Sequence, residues 1–444
     1  MVFRAKISYK TVQLLLLSAA VGVLSGFIAI GFRYLIYFFQ NLFFFGNFSF
    51  ENSDNALIHN HIGWTIIFIP AIGGLLVGLI THFFASEAKG HGVPEVMEAV
   101  SFNDGKMKYR TVFFKALASA ITIGSGGSVG REGPIVQIGS AAGSTIAQWL
   151  KFDTYHIKVL LGAGAASGIA ATFNTPIAGI VFALEIILME VNSKSFIAMV
   201  IATFFGTIVS RIFLGSEPAF HLPAYAFHNN YETFFYLILG VLAGFAGLLL
   251  IKSVYFAEDI FNKIKIYPFL KPAIGGLLVG CIGIFFPEVF GVGYITVSNI
   301  LNHNILITTV ILLFFAKFLA FIITIGSGAS GGIFSPSLFL GATLGAAFGY
   351  LVNYFFPEIS APPGAYALVG MAALFGAAAR ATLTSIIIIF ELTLDYKIIL
   401  PLMFTCVIAD LICWSYSKES IYTQKLARKR LSLKNSYISF KNND

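Results

Sequence analysis

Charged side chains are scarce in this sequence: they make up 11% of its 444 residues, whereas hydrophobic residues make up 57%. Soluble domains carry charge on about a quarter of their residues, so the deficit excludes an ordinary soluble protein. Apolar runs recur along the chain, beginning with 11–32, and several exceed the roughly 18 residues that mark a membrane-spanning helix. Shorter runs are broken by glycine or proline and are typical of half-helices. We predict an all-α protein that crosses the membrane many times.

Cysteine patterns of a metal site are also missing. Three cysteines lie in apolar segments without metal-ligand spacing, namely Cys281, Cys406 and Cys413. We expect them to be small core residues, because a free cysteine behaves as a small hydrophobic side chain. We also expect neither a metal ion nor any other cofactor.

Patterns for hydrolysis are incomplete. The string GASG at 328–331 fits the serine motif of an intramembrane protease, but that chemistry needs a histidine base, and no histidine follows His303. Asp395 and Asp410 are the late candidates for an aspartate pair, and both are predicted near helix ends. An intramembrane hydrolase is therefore the least favoured alternative, and we predict that the chain is not an enzyme.

Acidic residues are rare at the two ends of the chain. Residues 1–10 carry Arg4, Lys6 and Lys10 and no acid. The segment 417–444 is basic and carries Lys418, Lys425, Arg428, Lys429, Arg430, Lys434 and Lys441. The positive-inside rule places both segments in the cytoplasm, flanking one membrane domain at 11–416. We expect a multi-pass protein of the cell (inner) membrane, and we interpret the tail as a topology anchor with no nucleic-acid partner.

The chain repeats itself with an offset near 200 residues. Three pairs of segments correspond in the same order: GHGVPE at 90–95 with GVGYIT at 291–296, GSGGSVGREGP at 124–134 with GSGASGGIFSP at 326–336, and 161–185 with 369–393. We place the two homologous halves at about 11–214 and 230–416. Two such halves in one membrane domain are typical of transporters and channels.

Three glycine-rich loops, at 90–94, 124–134 and 326–336, carry proline near their ends and precede predicted helices. A helix N-terminus presents free backbone N–H groups and the positive end of the helix dipole, which bind anions without a full positive charge. Such weak binding lets an ion leave again, as conduction requires. We therefore predict a buried anion pathway where the loops converge. The pair Arg131 and Glu132 lies in the second loop, and charge inside a membrane is usually functional.

The motifs GHGVPE, GREGP and GGIFSP, in this order and spacing, resemble the signatures of the CLC family of chloride channels and transporters. The resemblance extends from about residue 10 to about residue 430 and is that of a compact, prokaryote-like member without C-terminal CBS domains. It implies a homodimer in membrane lipid, with a chloride pore in each subunit. It also implies an inverted repeat of two halves with many tilted, partly spanning helices.

The resemblance further implies which residues hold the ion. Glu132 matches the gating glutamate, whose carboxylate occupies the outer anion site and leaves it when protonated, and Tyr422 matches a central tyrosine hydroxyl. The other matching positions are Gly90 and His91 in the first signature, the backbone amides of Ile333 and Phe334 at the central site, and those of Arg131, Glu132 and Ser335 at the outer site.

Two positions depart from the family pattern. His91 replaces the usual serine or proline. Either its ring donates a hydrogen bond to the anion, or the ring points away and only the backbone amide serves; a protonated ring would trap the anion, which favours the second interpretation. Ile186 replaces the inner glutamate of the exchangers, and isoleucine cannot relay a proton. Glu185 could be a structural carboxylate at a helix end, and Glu190 could substitute for the inner acid.

Several functions stay open at this point. We favour a chloride/proton antiporter gated by Glu132, because the outer carboxylate can still take up a proton in exchange with chloride. The absence of an inner glutamate at Ile186 favours the alternative, a passive chloride channel. A fluoride/proton antiporter is less favoured, because GREGP, GGIFSP and the Tyr422 segment are more similar to the chloride branch.

Overall fold

In a computed structural model of the chain, the described residues are 9–51, 63–217, 220, 232–302, 304–394 and 396–431. His303 and Asp395 lie outside the described residues, as do most of the N-terminal segment and the end of the basic tail. Within the described ranges the chain is almost entirely helical and forms no β-strand beyond two isolated bridges. The predicted all-α class is therefore confirmed.

The helices follow the same order twice. The first eight are α1 (Tyr9–Phe45), α2 (Phe68–Phe83), α3 (Val93–Phe102), α4 (Arg110–Gly124), α5 (Glu132–Trp149), α6 (Thr154–Phe173), α7 (Pro176–Phe182) and α8 (Ser193–Leu214). The next eight are α9 (Glu232–Lys263), α10 (Lys271–Phe285), α11 (Tyr294–Leu301), α12 (Ile307–Gly326), α13 (Phe334–Phe355), α14 (Pro363–Ala379), α15 (Thr382–Thr393) and α16 (Ile399–Tyr416). A π-helical turn at Ala183–Leu188 continues α7, and α17 (Thr423–Arg428) follows α16.

The helices fall into two classes by length. Nine helices among the described residues are long and apolar enough to cross a membrane. Helices α3, α7 and α11 have only 10, 7 and 8 residues. At about 1.5 Å per residue they cannot cross a hydrocarbon core of about 30 Å. Such short helices are tolerated in a membrane protein where surrounding protein covers their ends, and the predicted mixture of spanning and partly spanning helices is confirmed.

The repeat is also present in the packing. Helix α5 packs on α6 as α13 packs on α14, and α1 packs on α8 as α9 packs on α16. Between the halves, α2 contacts α10 through glycine: a Cβ on Gly74 would lie 2.1 Å from the Pro272 oxygen, and one on Gly276 would lie 2.0 Å from the Pro70 oxygen. Small residues allow such close helix contacts without a hydrophobic driving force. Reciprocal contacts of this kind are what a two-fold relation between the halves produces.

Two glutamates cap helices of the opposite half. The Glu185 carboxylate accepts hydrogen bonds from the Leu383 and Thr384 nitrogens, at 3.1 and 2.8 Å, where α15 begins. Its repeat counterpart Glu391 accepts from two nitrogens in the first turn of α7, at 3.1 and 2.7 Å. A carboxylate at a helix N-terminus satisfies free N–H groups and the helix dipole. Each glutamate thus joins one half to the other.

Two features differ from the sequence-based expectation. Helix α1 continues past the first apolar run, through Arg33, to Phe45; Arg33 is accommodated because its Nη2 donates to the Thr172 oxygen at 2.8 Å.

The expectation that all cysteines are core residues is wrong for Cys281, which is exposed, whereas Cys406 and Cys413 are buried. Cys281 is exposed because the apolar α10 segment buries only 28% of its residues inside the chain.

Candidate functional site

The three glycine loops meet at one point in the protein. Gly130 and Gly332 exchange two backbone hydrogen bonds of 2.8 and 2.6 Å, and the Gly90 nitrogen donates to the Ala329 oxygen at 3.2 Å. Because α3, α5 and α13 begin after these loops, their N-termini adjoin one another. The predicted convergence is observed, and it joins the two halves.

Backbone contact between the first two loops requires glycine. A Cβ on Gly133 would lie 2.1 Å from the His91 carbonyl oxygen, and a Cβ on Gly92 would lie 2.7 Å from the Gly133 oxygen. Gly92 also has φ +91°, which side chains rarely adopt. The first turn of α5 therefore lies directly against residues 90–92.

Two buried lysines hold the loops in equivalent ways. Lys115 Nζ donates to the carbonyl oxygens of Ala88 and Gly90, at 3.0 and 2.6 Å. Lys317 Nζ donates to two carbonyl oxygens just before and within GVGYIT, both at 2.9 Å. Sequence reasoning missed this pair. The sequence does contain a signal for it, because each of two apolar helices carries one lysine and the two lysines are separated by the repeat offset. A charged side chain inside a membrane segment usually pairs with another group or serves the function.

Glu132 is the first residue of α5 and is 3% exposed. Its carboxylate lies at the start of α13, where Oε2 accepts a hydrogen bond from the Ser335 nitrogen at 3.3 Å. Oε1 accepts from the Tyr294 hydroxyl at 2.6 Å and from the Ser335 hydroxyl. The carboxylate thus occupies a ring of donors at a helix N-terminus, which is an environment that suits an anion.

Tyr294 begins α11 and was not identified from the sequence. The repeat pairs it with Val93, an apolar residue, so the alignment of GVGYIT with GHGVPE gave no reason to assign it a role. The Tyr294 ring also lies 5.3 Å from the guanidinium of Arg131, which lies 5.6 Å from the ring of Phe173. The Arg131 guanidinium therefore lies over two aromatic rings that contact each other, next to Glu132.

A small cavity of about 10 Å³ is lined by both Glu132 and Tyr422. This is about the room that one water-sized particle needs. Phe334 contributes to its wall, and the ring of Phe334 packs 4.3 Å from that of Phe375. Phe334 is the first residue of α13 and Ile333 is its N-cap, so their amides lie where the N–H groups have no acceptor within the helix. The structure therefore brings Glu132, Tyr422 and the start of α13 together.

Tyr422 is positioned by the segment that precedes α17. The Ile421 nitrogen donates to the Ala378 oxygen at 2.9 Å, and the Tyr255 hydroxyl donates to the Ile421 oxygen at 2.7 Å. Tyr422 itself is 2% exposed. The His91 ring lies 6.2 Å from the Tyr422 ring, and its Nδ1 is buried without a partner in the described part of the chain.

A larger cavity of about 410 Å³, the inner cavity, extends on from Tyr422. It is lined by Tyr422, Glu185, Ile186, Glu190 and Arg380, among others. Burial raises the pKa of Glu190, although the charge of Lys158 opposes the shift. Glu190 and Tyr422 therefore border one space, whereas Glu185 is engaged in its cap.

Comparison with known proteins agrees with this architecture. The family model described as voltage gated chloride channel matches residues 73–413. A ClcB-like chloride channel protein of Ralstonia nicotianae is 36% identical over 371 residues, covering 83% of this chain and 86% of the relative. The H⁺/Cl⁻ exchange transporter ClcA of Vibrio parahaemolyticus is 32% identical over 442 residues, covering 96% and 91%. The crystal structure of a slow cyanobacterial Cl⁻/H⁺ antiporter superimposes with a TM-score of 0.84 at 25% identity, covering 94% and 97%.

Proposed function

This chain belongs to the voltage-gated chloride channel family, also called CLC, and we propose that it exchanges chloride for protons across the membrane. One observation carries the proposal. The Glu132 carboxylate occupies a ring of donors formed by the Ser335 nitrogen and the Ser335 and Tyr294 hydroxyls. A chloride ion would use the same donors, so the carboxylate and the ion compete for one position.

Competition of this kind can couple the two ions. A protonated Glu132 no longer competes as an anion, and chloride takes its place among the donors. When chloride leaves, the ionised carboxylate returns. Exchange follows if the displaced carboxyl takes up its proton from the outer side while chloride leaves on that side, and if the carboxylate, once back among the donors, releases the proton toward the inner side.

We assign the remaining site residues to two positions along this path. The backbone amides of Arg131, Glu132 and Ser335 would surround the outer position. The amides of Ile333 and Phe334 and the Tyr422 hydroxyl would hold chloride at the central position, with the backbone of Gly90 and His91 close by. The cavity shared by Glu132 and Tyr422 joins the two positions.

Protons need a route past Ile186 on the inner side. The inner cavity is roomy enough for a chain of waters, and both Glu190 and Tyr422 line it. Burial raises the pKa of Glu190, which favours a carboxyl that takes up and releases protons nearer to neutral pH. We therefore assign Glu190, rather than the capped Glu185, as the inner acid.

A passive chloride channel is the second candidate. Its supporting observation is Ile186 itself, which is 5% exposed and replaces an acid with an apolar side chain. In that case Glu132 only opens and closes the path. Hydrolysis is less well supported, because the hydroxyl of Ser330, the serine of GASG, bonds to the Ala88 oxygen at 2.6 Å and lies 2.9 Å from the Ser119 hydroxyl.

We infer that the two described ends of the chain lie on one face. Near the N-terminal end, the charge of Lys10 acts on Asp153, which follows α5. In α5, Gln148 donates to the Met107 oxygen at 2.9 Å. Met107 in turn lines one cavity with Lys429, near the C-terminal end. We propose that this face is cytoplasmic, with the membrane domain at 11–416 and its halves at about 11–214 and 230–416. We further propose a homodimer through the exposed apolar faces of α8 and α16, whose outward side chains include Phe204, Ile208, Phe404 and Val407.

Anion efflux from liposomes tests the transport proposal. Purified protein in vesicles loaded with potassium chloride, with valinomycin to carry potassium, should release chloride at a rate proportional to protein. Vesicles loaded with potassium fluoride should release their anion more slowly if the chloride assignment is right. Release of fluoride but not chloride would favour the fluoride alternative, and release of neither would contradict anion transport.

A further inference from the structure

A third cavity, here called the outer cavity, lies beside the gate and has a volume of about 180 Å³. Its polar lining consists of Arg33, Tyr37, Gln40, Arg131 and Tyr294. Tyr294 donates to Glu132, so the outer cavity adjoins the carboxylate. The inner cavity instead ends at Tyr422, and the two cavities have no lining residue in common. The outer cavity therefore approaches Glu132 from the side away from Tyr422.

Two arginine side chains, Arg33 and Arg131, line this cavity. Their charges are close enough to repel, with Arg131 opposing the charge of Arg33. Arg33 reaches the cavity because α1 continues beyond its apolar run, and its Nη2 is fixed by the Thr172 oxygen at 2.8 Å. Arg131 is fixed by the rings of Phe173 and Tyr294. Both side chains are thus held in place by uncharged groups of the described part of the chain.

Donors remain unused on both arginines. Of the Arg33 donors only Nη2 has a hydrogen-bond partner among the described residues, and Arg131 has none there; since the Nε atoms are fully buried, the Nη groups are the donors that the cavity can reach. No carboxylate of the described part forms an ion pair with either group. Glu132, the acid that follows Arg131 in the chain, already accepts from Tyr294 and Ser335. Both arginines are partly buried, and a partly desolvated charge without a counter-ion favours the binding of an anion.

Guanidinium chemistry limits what the anion can be. Arginine carries five N–H donors in a planar fork and stays charged at any physiological pH. Two such groups suit a small inorganic monoanion, and the cavity has room for its hydration shell, since one water needs about 10–15 Å³ of such a cavity. Stacking on Tyr294 leaves the edge of the Arg131 guanidinium free to donate.

We propose that the outer cavity is a separate anion-binding site, in which Arg33 and Arg131 hold a chloride ion immediately before it displaces the Glu132 carboxylate. The role as a waiting site rests on the proposed function, whereas anion binding in the cavity does not. Tyr294 connects anion binding at the arginines with displacement of the carboxylate, because its ring contacts Arg131 and its hydroxyl contacts Glu132. An ion that arrives at Arg131 is therefore one side chain away from the gate.

Two readouts test the proposal with Arg33→Gln. Bromide anomalous scattering from crystals of the wild-type protein should show an ion between the two guanidiniums, and Arg33→Gln should lose it. In liposomes, Arg33→Gln should raise the chloride concentration needed for half-maximal flux on the Glu132 side by about tenfold, with an unchanged maximal rate. Arg211→Gln is the matched control: Arg211 Nε bonds to Asn174 Oδ1 at 2.6 Å outside the cavity, so both readouts should equal those of wild type.

A second variant leaves the hydrogen bond from Arg33 to the Thr172 oxygen intact. Ile295 lines the outer cavity and is 42% exposed, so Ile295→Glu should fold and place a carboxylate beside the arginines. It should remove the bromide peak and raise the half-maximal chloride concentration, whereas Ile295→Gln should do neither. A wild-type crystal without bromide in the cavity, or a peak that persists in both Arg33→Gln and Ile295→Glu, would overturn the proposal. Bromide in the cavity of a protein that moves no chloride would instead contradict only the proposed function.

Discussion

The Tyr294 hydroxyl lies 2.6 Å from Glu132 Oε1. A side chain that opens α11 in the second half thereby holds the carboxylate that opens α5 in the first half. Ser335 completes the ring at the start of α13. The gate assigned to Glu132 therefore depends on contacts across the repeat, and its release requires that these hydrogen bonds break.

Tyr294→Phe should make the gate easier to open. The substitution removes one hydrogen bond to an ionised carboxylate, a contribution of about 1.5–3 kcal/mol, and keeps the ring under Arg131. We expect chloride turnover in liposomes to rise by at least about tenfold if release of Glu132 limits the rate. Tyr350→Phe is the control, because the Tyr350 hydroxyl bonds to the remote Ile305 oxygen at 2.8 Å. Equal turnover in wild type and Tyr294→Phe would show that this bond does not hold the gate.

Tyr422→Phe should weaken chloride binding at the central position. Loss of one hydrogen bond to a charged partner costs about 1–3 kcal/mol, which corresponds to a Kd that is roughly 5- to 150-fold higher. Calorimetric titration with chloride measures the change. Tyr155→Phe should leave the Kd unaltered, because the Tyr155 hydroxyl is buried without a partner in the described chain. An unchanged Kd in Tyr422→Phe would remove Tyr422 from the site.

Glu190→Gln should reduce proton flux and leave chloride flux largely intact. The amide cannot carry a proton through the inner cavity, whereas the chloride positions at Tyr422 and the start of α13 are untouched. Simultaneous recording of both ions from one liposome preparation gives the ratio directly. Glu419→Gln removes a nearby acid that does not line the inner cavity and should keep the wild-type ratio. If Glu190→Gln keeps it too, protons enter by another route.

Glu185→Gln should lower stability rather than coupling. Its carboxylate caps α15, and the loss of a helix cap costs about 0.5–2 kcal/mol. Glu391→Gln provides a comparison within the same chain, because Glu391 caps α7 in the reciprocal way. Thermal unfolding in detergent should show similar losses for both variants. A lost proton flux in Glu185→Gln, with normal unfolding, would instead make Glu185 the inner acid.

Local sequence patterns predicted the frame of this site well. Gly92 and Gly133 both lie against backbone atoms that a Cβ would meet, and Gly92 also has a positive φ. Few other residues fit such positions, so the glycine-rich loops could be recognised from the sequence. The position of Glu132 beside them followed from the GREGP motif. The mixture of long and short helices followed from the lengths of the apolar runs.

Contacts between distant segments could not be predicted in this way. Tyr294 meets Glu132 across 162 residues of chain, and nothing in the local pattern of either segment specifies that pairing. Arg33 ended an apolar run in the sequence, yet α1 continues through it because Thr172 provides an acceptor. The exposed Cys281 shows the same limit, since burial depends on which helices cover α10.

Proton movement driven by chloride tests the central claim most directly. Liposomes that hold the purified protein are given a chloride gradient and no pH gradient, and the external pH is recorded. We predict that protons move against their gradient as chloride runs down, and that Glu132→Gln abolishes this movement while chloride flux persists. Chloride flux in the wild-type protein without any proton movement would contradict exchange and leave Glu132 as the gate of a passive channel.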